Sequence, residues 1–225
     1  MTKRTFLLIS IILVLFSCEK KQSELEYEQS VVYEIFPALM DSLDFDFRLI
    51  PPPPPRPIFS EKGEIIRIDT TGMGKKLKEY EQKKAELKTE PIELVVAISD
   101  TVFLLREIDR KELLRHFSKS NLKLDNSNIS STYKIEIDKL ITDENLKFKY
   151  LSEFPSGSAI WESEYPFNLS GITYLTRIQF DTTKSFGILE SGMSCGRLCG
   201  SGVRVFIKKV NGKWIIDKLE ETWIS

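Results

Sequence analysis

The chain has 225 residues, 41% hydrophobic and 11% aromatic, with 32 basic against 33 acidic side chains, one histidine and three cysteines. That apolar content supports a packed core and excludes wholesale disorder. The near-neutral balance excludes the concentrated basic face that nucleic-acid binding needs, so no nucleic-acid partner is expected.

The N-terminus opens with Lys3 and Arg4, followed by the apolar run Phe6 to Phe16, broken only by Ser10. Eleven residues are too few to span a bilayer as a helix, which takes about 20. The length and flanks fit the core of an export signal. The run ends on Leu15-Phe16-Ser17-Cys18. A branched apolar residue three before a cysteine and a small residue one before it resemble the lipobox of bacterial lipoproteins. The resemblance implies a signal peptide over 1–17, cleavage before Cys18, and diacylglycerol and fatty acyl groups such as palmitate on Cys18. Several acyl chains anchor stably where one does not, so the expected partner is a membrane reached through lipid on Cys18. Glu19 follows where an aspartate would resemble an inner-membrane retention signal. The expected location is therefore the cell envelope at the outer membrane, on its periplasmic or surface face. Without Lys3 and Arg4 the net charge moves from −1 to −3.

Residues 18–30 are polar and acidic and read as a tether. Over 31–91 a helical segment is expected. Val32, Ile35, Phe36, Leu39, Met40 and Leu43 fall at helical spacing, with Pro37 expected to kink or shorten that helix. Pro51 to Pro55 run unbroken and Pro57 follows Arg56. Such a run is a stiff polyproline II rod. It reads as a strut over 51–57 or as a ligand for a proline-binding module. Lys75 to Lys88 is rich in helix formers and charge and reads as a solvated helix.

A second unit, 92–225, is expected to be α+β. Leu94-Val95-Val96-Ala97-Ile98 looks like a buried strand. Asp109 with Glu112 three later resembles a capping box opening a short helix. From Tyr133 onward the pattern is β-rich. Strands are expected from Ile172 to Phe180, from Phe186 to Met193, from Val203 to Lys208 and from Lys213 to Trp223. The first turn is Asp181 to Lys184 and the last is Asn211-Gly212, whose residues tolerate positive φ. This is an antiparallel meander behind helices, an α+β class.

Cys195-Gly-Arg-Leu-Cys199-Gly-Ser-Gly, the strand after it, Asn211-Gly-Lys-Trp214 and the Trp223-Ile-Ser ending resemble a family of Bacteroidota lipoproteins that carries no known activity. The helix-then-meander order resembles the cystatin-like and nuclear-transport-factor-like (NTF2-like) folds, a likeness that does not imply function. Asp41-Ser-Leu, Asp69-Thr-Thr, Asp100-Thr-Val and Asp181-Thr-Thr are similar to the O-glycan acceptor triplet of Bacteroidota envelope proteins. They equally suit turns and caps.

With Cys18 taken by lipid, Cys195 and Cys199 are expected to pair in an oxidising compartment. A disulfide would pinch a glycine-rich loop, displaying Arg197 and Leu198 as a candidate recognition apex. A zinc site needs four ligands, and one histidine beside two cysteines leaves too few, so neither metal nor cofactor is expected. Gly192-Met-Ser-Cys-Gly196 fits the hydrolase pattern Gly-x-Ser-x-Gly. That chemistry needs a histidine after the serine, and the sole histidine, His116, lies before Ser194. Glu162, Glu164 and Asp181 would allow acid–base hydrolysis of glycans if they met in one cleft. The expected function is a lipid-anchored envelope protein with a binding or structural role toward an envelope protein or glycan. The alternative is a carboxylate-based hydrolase of envelope polymers; no catalytic residue is assigned.

Overall fold

The computed structural model describes residues 22–43, 51–89, 92–125, 131–142 and 146–225. The signal segment and Cys18 lie outside the described residues. The class is α+β, as expected.

Helix α1, Glu24–Leu43, starts inside the stretch read as tether and runs through Pro37. Its start is fixed by Ser23 and Glu26. The Glu26 N–H donates to Ser23 Oγ at 3.2 Å, and the Ser23 N–H donates to Glu26 Oε2 at 2.8 Å. This reciprocal capping box satisfies two otherwise orphaned donors. The helix buries Glu28, Val31, Val32, Ile35, Phe36, Leu39, Met40 and Leu43 along one face. Each large apolar side chain so buried contributes about 1.5–3 kcal/mol.

After the prolines, Arg56–Phe59 (β1) and Ile65–Asp69 (β2) form an antiparallel hairpin. Its turn passes through Gly63 at φ 80°, a conformation that favours glycine. The expected strut thus ends at Pro55, because Arg56 and Pro57 pair with Asp69 and Ile68. Helix α2 follows over Met73–Thr89. No residue from 51 to 89 joins any of the three described core clusters.

The body is built on one mixed sheet. Its strands are Leu94–Ile98 (β3), Leu146–Tyr150 (β6), Asn168–Leu175 (β7), Phe186–Gly196 (β9), Cys199–Val210 (β10) and Lys213–Ile224 (β11). The two-residue strand Gln179–Phe180 (β8) pairs with β9, and Thr101–Val102 (β4) pairs with Tyr133–Lys134 (β5). The order is β11-β10-β9-β7-β3-β6. The expected meander is β7-β9-β10-β11, antiparallel throughout. Beyond it, β3 lies parallel to both β7 and β6. That departs from a plain helix-and-meander arrangement. All five β3 residues are buried, which is why this strand reads as an unbroken apolar run rather than an alternation.

Helix α1 covers one face of the sheet, joining Val96, Leu189, Val205, Ile207 and Trp214 in the main core. A buried ion pair locks it there. Arg177 donates to both Glu28 oxygens, each at 2.7 Å, and the Ile178 N–H donates to Glu28 Oε1 at 3.0 Å. On the other face, helix α3 (Glu107–His116) packs Leu113 against Ile188 and Phe206. Asp109 is not its cap, as its spacing to Glu112 had implied. Wholly buried, Asp109 accepts from Arg106 Nε at 2.8 Å and from Arg204 Nε at 3.0 Å. The helix begins two residues earlier, after Arg106.

Candidate functional site

The face of the sheet that carries α3 continues, beyond the helix, into a concave surface. The alternation of β7 places Ile172 and Tyr174 on this face, and Val95 and Ala97 of β3 share it. The segment 151–167 folds over them through two one-turn 3-10 helices, Leu151–Glu153 and Gly157–Trp161. Phe154 and Ile160 are its buried anchors.

Two clefts flank the Gly157–Trp161 turn, and Ile160 lines both. The larger, about 650 Å³, is walled by Phe103, Leu151, Phe154 and Ile172, with Ser99 and Ser152 among the polar groups at its edge. The smaller, about 390 Å³, is walled by Trp161, Tyr165 and Phe167, with Ser163 and Asn168 beside them. Tyr165 and Phe167 stack at 5.2 Å with their planes 15° apart, and Phe154 meets Tyr165 edge-on at 5.5 Å. The rings therefore brace one another and present fixed surfaces. The Trp161 indole is partly exposed and makes no hydrogen bond among the described residues. An aromatic ring with an open face and an available N–H suits a ligand with both apolar and hydrogen-bonding parts.

At the far end of β9 and β10 stands the cysteine hairpin. Cys195 and Cys199 are disulfide-bonded with their α-carbons 5.1 Å apart. The expected loop is much shorter than its glycines suggested. β9 runs to Gly196 and β10 resumes at Cys199, so only Arg197 and Leu198 form the turn. Gly192, Gly200 and Gly202 serve close packing. A Cβ at Gly192 would sit 2.7 Å from Tyr174 Cε1, and one at Gly202 would overlap the Trp223 indole. The Trp223 indole lies beside the Tyr174 hydroxyl, and Tyr174 meets Phe103 at 6.1 Å. This aromatic file leads from β11 to the rim of the larger cleft.

Of the two apex residues, Leu198 is 89% exposed. Arg197 is engaged with the Glu162 carboxylate. Glu162 directly follows Trp161, so this contact ties the stapled tip to the turn that separates the clefts. The sequence had placed a candidate recognition site at the tip alone and missed the aromatic clefts beside it. The one available signal was the density of Phe154, Trp161, Tyr165 and Phe167.

The carboxylates considered for hydrolysis do not converge. Asp181 is buried and accepts the N–H groups of Thr183, Ser185 and Phe186 at 2.8–3.0 Å and the Thr183 hydroxyl at 2.5 Å. Burial pushes its pKa up, but those hydrogen bonds outweigh it and hold the carboxyl below its ordinary value of 3.8. Glu162 sits past the opposite end of β9. The eleven residues of that strand separate the two groups, roughly 35 Å at about 3.3 Å per residue. Ser194 lies in extended β9, paired with Ile172 and Gly200, with no strand-to-helix turn to present it. His116, half-buried, stacks on Phe206 at 4.0 Å and bonds Asp217 Oδ2 at 2.7 Å.

A second carboxylate cluster lies between α3 and the sheet. Arg106 bridges Asp109 and Glu190, the latter at 2.7 Å, while Arg204 bridges Asp109 and Glu220, the latter at 2.6 Å. Burial raises the Glu190 pKa; Arg106 opposes that shift and the Asp109 charge adds to it. Each acid here is matched to a guanidinium, which fastens the helix to the sheet. Of the glycosylation-like triplets, Asp69 accepts the Thr71 N–H at 3.0 Å in a local turn. Asp100 accepts both the N–H and the hydroxyl of Ser152 at the rim of the larger cleft.

No family model matches the chain, and neither a curated protein nor a solved structure matches it. Among the described residues no helix is long and apolar enough to cross a membrane.

Proposed function

We propose that the chain is a lipid-anchored protein of the bacterial cell envelope that binds a glycan, free or carried on an envelope polymer, in the aromatic clefts beside Trp161. The arrangement of Trp161, Tyr165 and Phe167 around the smaller cleft carries this reading. Sugar rings offer apolar C–H faces to such rings and hydroxyls to groups such as Ser163 and Asn168. The aromatic rings are braced before any ligand arrives, so little ordering cost falls on binding. Binding is favoured over turnover because two of the nearby acids, Glu162 and Asp100, are committed to Arg197 and Ser152. The anchor follows from the Leu15-Phe16-Ser17-Cys18 junction, and the Cys195–Cys199 disulfide suits an oxidising compartment.

Two measurements test the reading. Titration of envelope glycans, including muropeptides, should quench or shift tryptophan emission saturably. Trp161→Ala should weaken binding at least tenfold at a temperature where circular dichroism shows the variant still folded, since Trp161 also packs on the core beneath the cleft. An unchanged affinity in that variant refutes the cleft. Metabolic labelling with palmitate should mark the wild type and not Cys18→Ala, and equal labelling of the two refutes the anchor.

A further inference from the structure

The stretch from Pro51 to Thr89 behaves as an arm. It contributes nothing to the three described core clusters, yet it carries large apolar side chains in water. Phe59 is 56% exposed, Ile65 61%, Ile66 65% and Ile68 58%. Every residue of β2 is exposed. A two-stranded hairpin is marginal by itself in water, so an apolar hairpin left uncovered is an element without its partner.

Two features identify that partner. The first is the distribution of the apolar groups. Pro57 and Phe59 lie two apart on β1 and so share a face. Ile65 pairs with Phe59, and Ile68 pairs with Pro57. One face of the hairpin therefore carries Pro57, Phe59, Ile65 and Ile68, while Arg56, Arg67 and Asp69 lie on the other. A hairpin with one apolar and one charged face suits the boundary between hydrocarbon and water at a membrane surface. The second feature is charge. Residues 51–89 hold nine Lys and Arg against six Asp and Glu, a net of +3, which leaves −6 on the rest of the chain after Ser17. Helix α2 supplies six of those lysines, at 75, 76, 78, 83, 84 and 88. An anionic surface would attract the arm and repel the body.

We propose that the arm is a membrane-docking element: the β1–β2 hairpin enters the headgroup layer of anionic phospholipid and the lysines of α2 meet the phosphates. The geometry rests on the lipid-anchor reading. Cys18 lies six residues before Glu24, a reach of about 20 Å at full extension, so a lipid on it would hold the whole chain, the arm included, close to the surface. A weak interfacial contact then suffices to set the orientation of the body, with the acidic domain and its clefts turned away from the membrane.

The test uses the unlipidated chain Glu19–Ser225, so that the arm alone can bind, and sedimentation with vesicles of 30% phosphatidylglycerol in phosphatidylethanolamine or of pure phosphatidylcholine. The wild type should bind the anionic vesicles at least tenfold better than the neutral ones in 50 mM salt and lose most of that binding in 500 mM salt. Ile66→Asp with Ile68→Asp should reduce binding at least tenfold without lowering the melting temperature, because both side chains are already in water. Lys75→Glu with Lys76→Glu and Lys78→Glu should do the same. Wild-type and variant curves that coincide overturn the proposal. So does a wild type that ignores vesicles but forms a dimer lost in the isoleucine variant, which would assign the hairpin to a second copy of this chain. Palmitate labelling of Cys18 is read separately, so failure of the anchor and failure of the arm give different results.

Discussion

Trp223 of β11 occupies the volume that a side chain at Gly202 of β10 would need. The pairing Gly202↔Trp223 puts the two directly opposite each other across the strands, and the missing Cβ lets the indole settle onto the backbone. Gly202→Ala must push Trp223 off its seat and away from Tyr174. Overpacking of this kind costs about 1–3 kcal/mol. The variant should melt lower and lose near-ultraviolet circular dichroism from Trp223. Gly196→Ala is the control, because a Cβ there meets nothing closer than 3.8 Å. Equal melting temperatures for the two variants would refute the packing role.

The Glu28–Arg177 pair makes the second prediction. Removing one partner leaves the other charge buried, at a cost of about 3–5 kcal/mol. Glu28→Gln should lower the urea midpoint by a corresponding amount. Glu28→Leu combined with Arg177→Met should restore most of the loss, since two apolar groups leave no buried charge. A double variant as unstable as the single would show that the hydrogen bonds from the Ile178 N–H to Glu28 and from Arg177 to the Ser131 carbonyl, not the charges, hold α1.

Asp181 sets a pH dependence. Its folded pKa lies below the unfolded value, so the stability it supplies is complete above the ordinary carboxylate pKa of 3.8. That stability is lost as pH falls through the lower, folded value. Asp181→Asn should therefore melt below the wild type at pH 7, and the gap should close as pH falls below the lowered folded value and the wild-type carboxyl takes up its proton. A gap of constant size from pH 7 down to the acid unfolding of the protein would mean that charge at Asp181 does not matter.

The elements that can be read from the chain are those whose partners are near in sequence. Asn211-Gly212 joins β10 to β11, and its two backbone conformations announce the turn without reference to anything distant. The run of β3 was equally legible, since burial on both faces erases alternation. The start of α1 was hidden, because Glu28 looks like solvated tether until its partner appears 149 residues later. The same distance effect concealed the parallel pairing of β3 with β6 and β7. Nothing local to Leu146–Tyr150 specifies a parallel neighbour. The clefts were illegible for a different reason: they are shaped by the irregular segment 151–167, whose aromatic residues carry no period.

The Cys195–Cys199 bridge supports the last prediction. It closes a ring of five residues across the end of β9 and β10. By the chain-entropy relation, so small a ring stabilises the fold by roughly 2 kcal/mol. For a chain of this size that corresponds to about 4–8 °C in melting temperature. The bridge has a second effect, through position rather than entropy. It holds Arg197 against Glu162, and Glu162 adjoins the Trp161 wall of the smaller cleft. Cys195→Ser with Cys199→Ser should lower the melting temperature by that amount and also weaken glycan binding severalfold. Arg197→Ala should reproduce the loss of binding with little loss of stability, since an exposed ion pair contributes only about 0–1 kcal/mol. Mass spectrometry of the unreduced protein should find the bridge intact. If Arg197→Ala binds as the wild type does while the double serine variant is merely less stable, the bridge is a strand clamp and the tip has no part in the site.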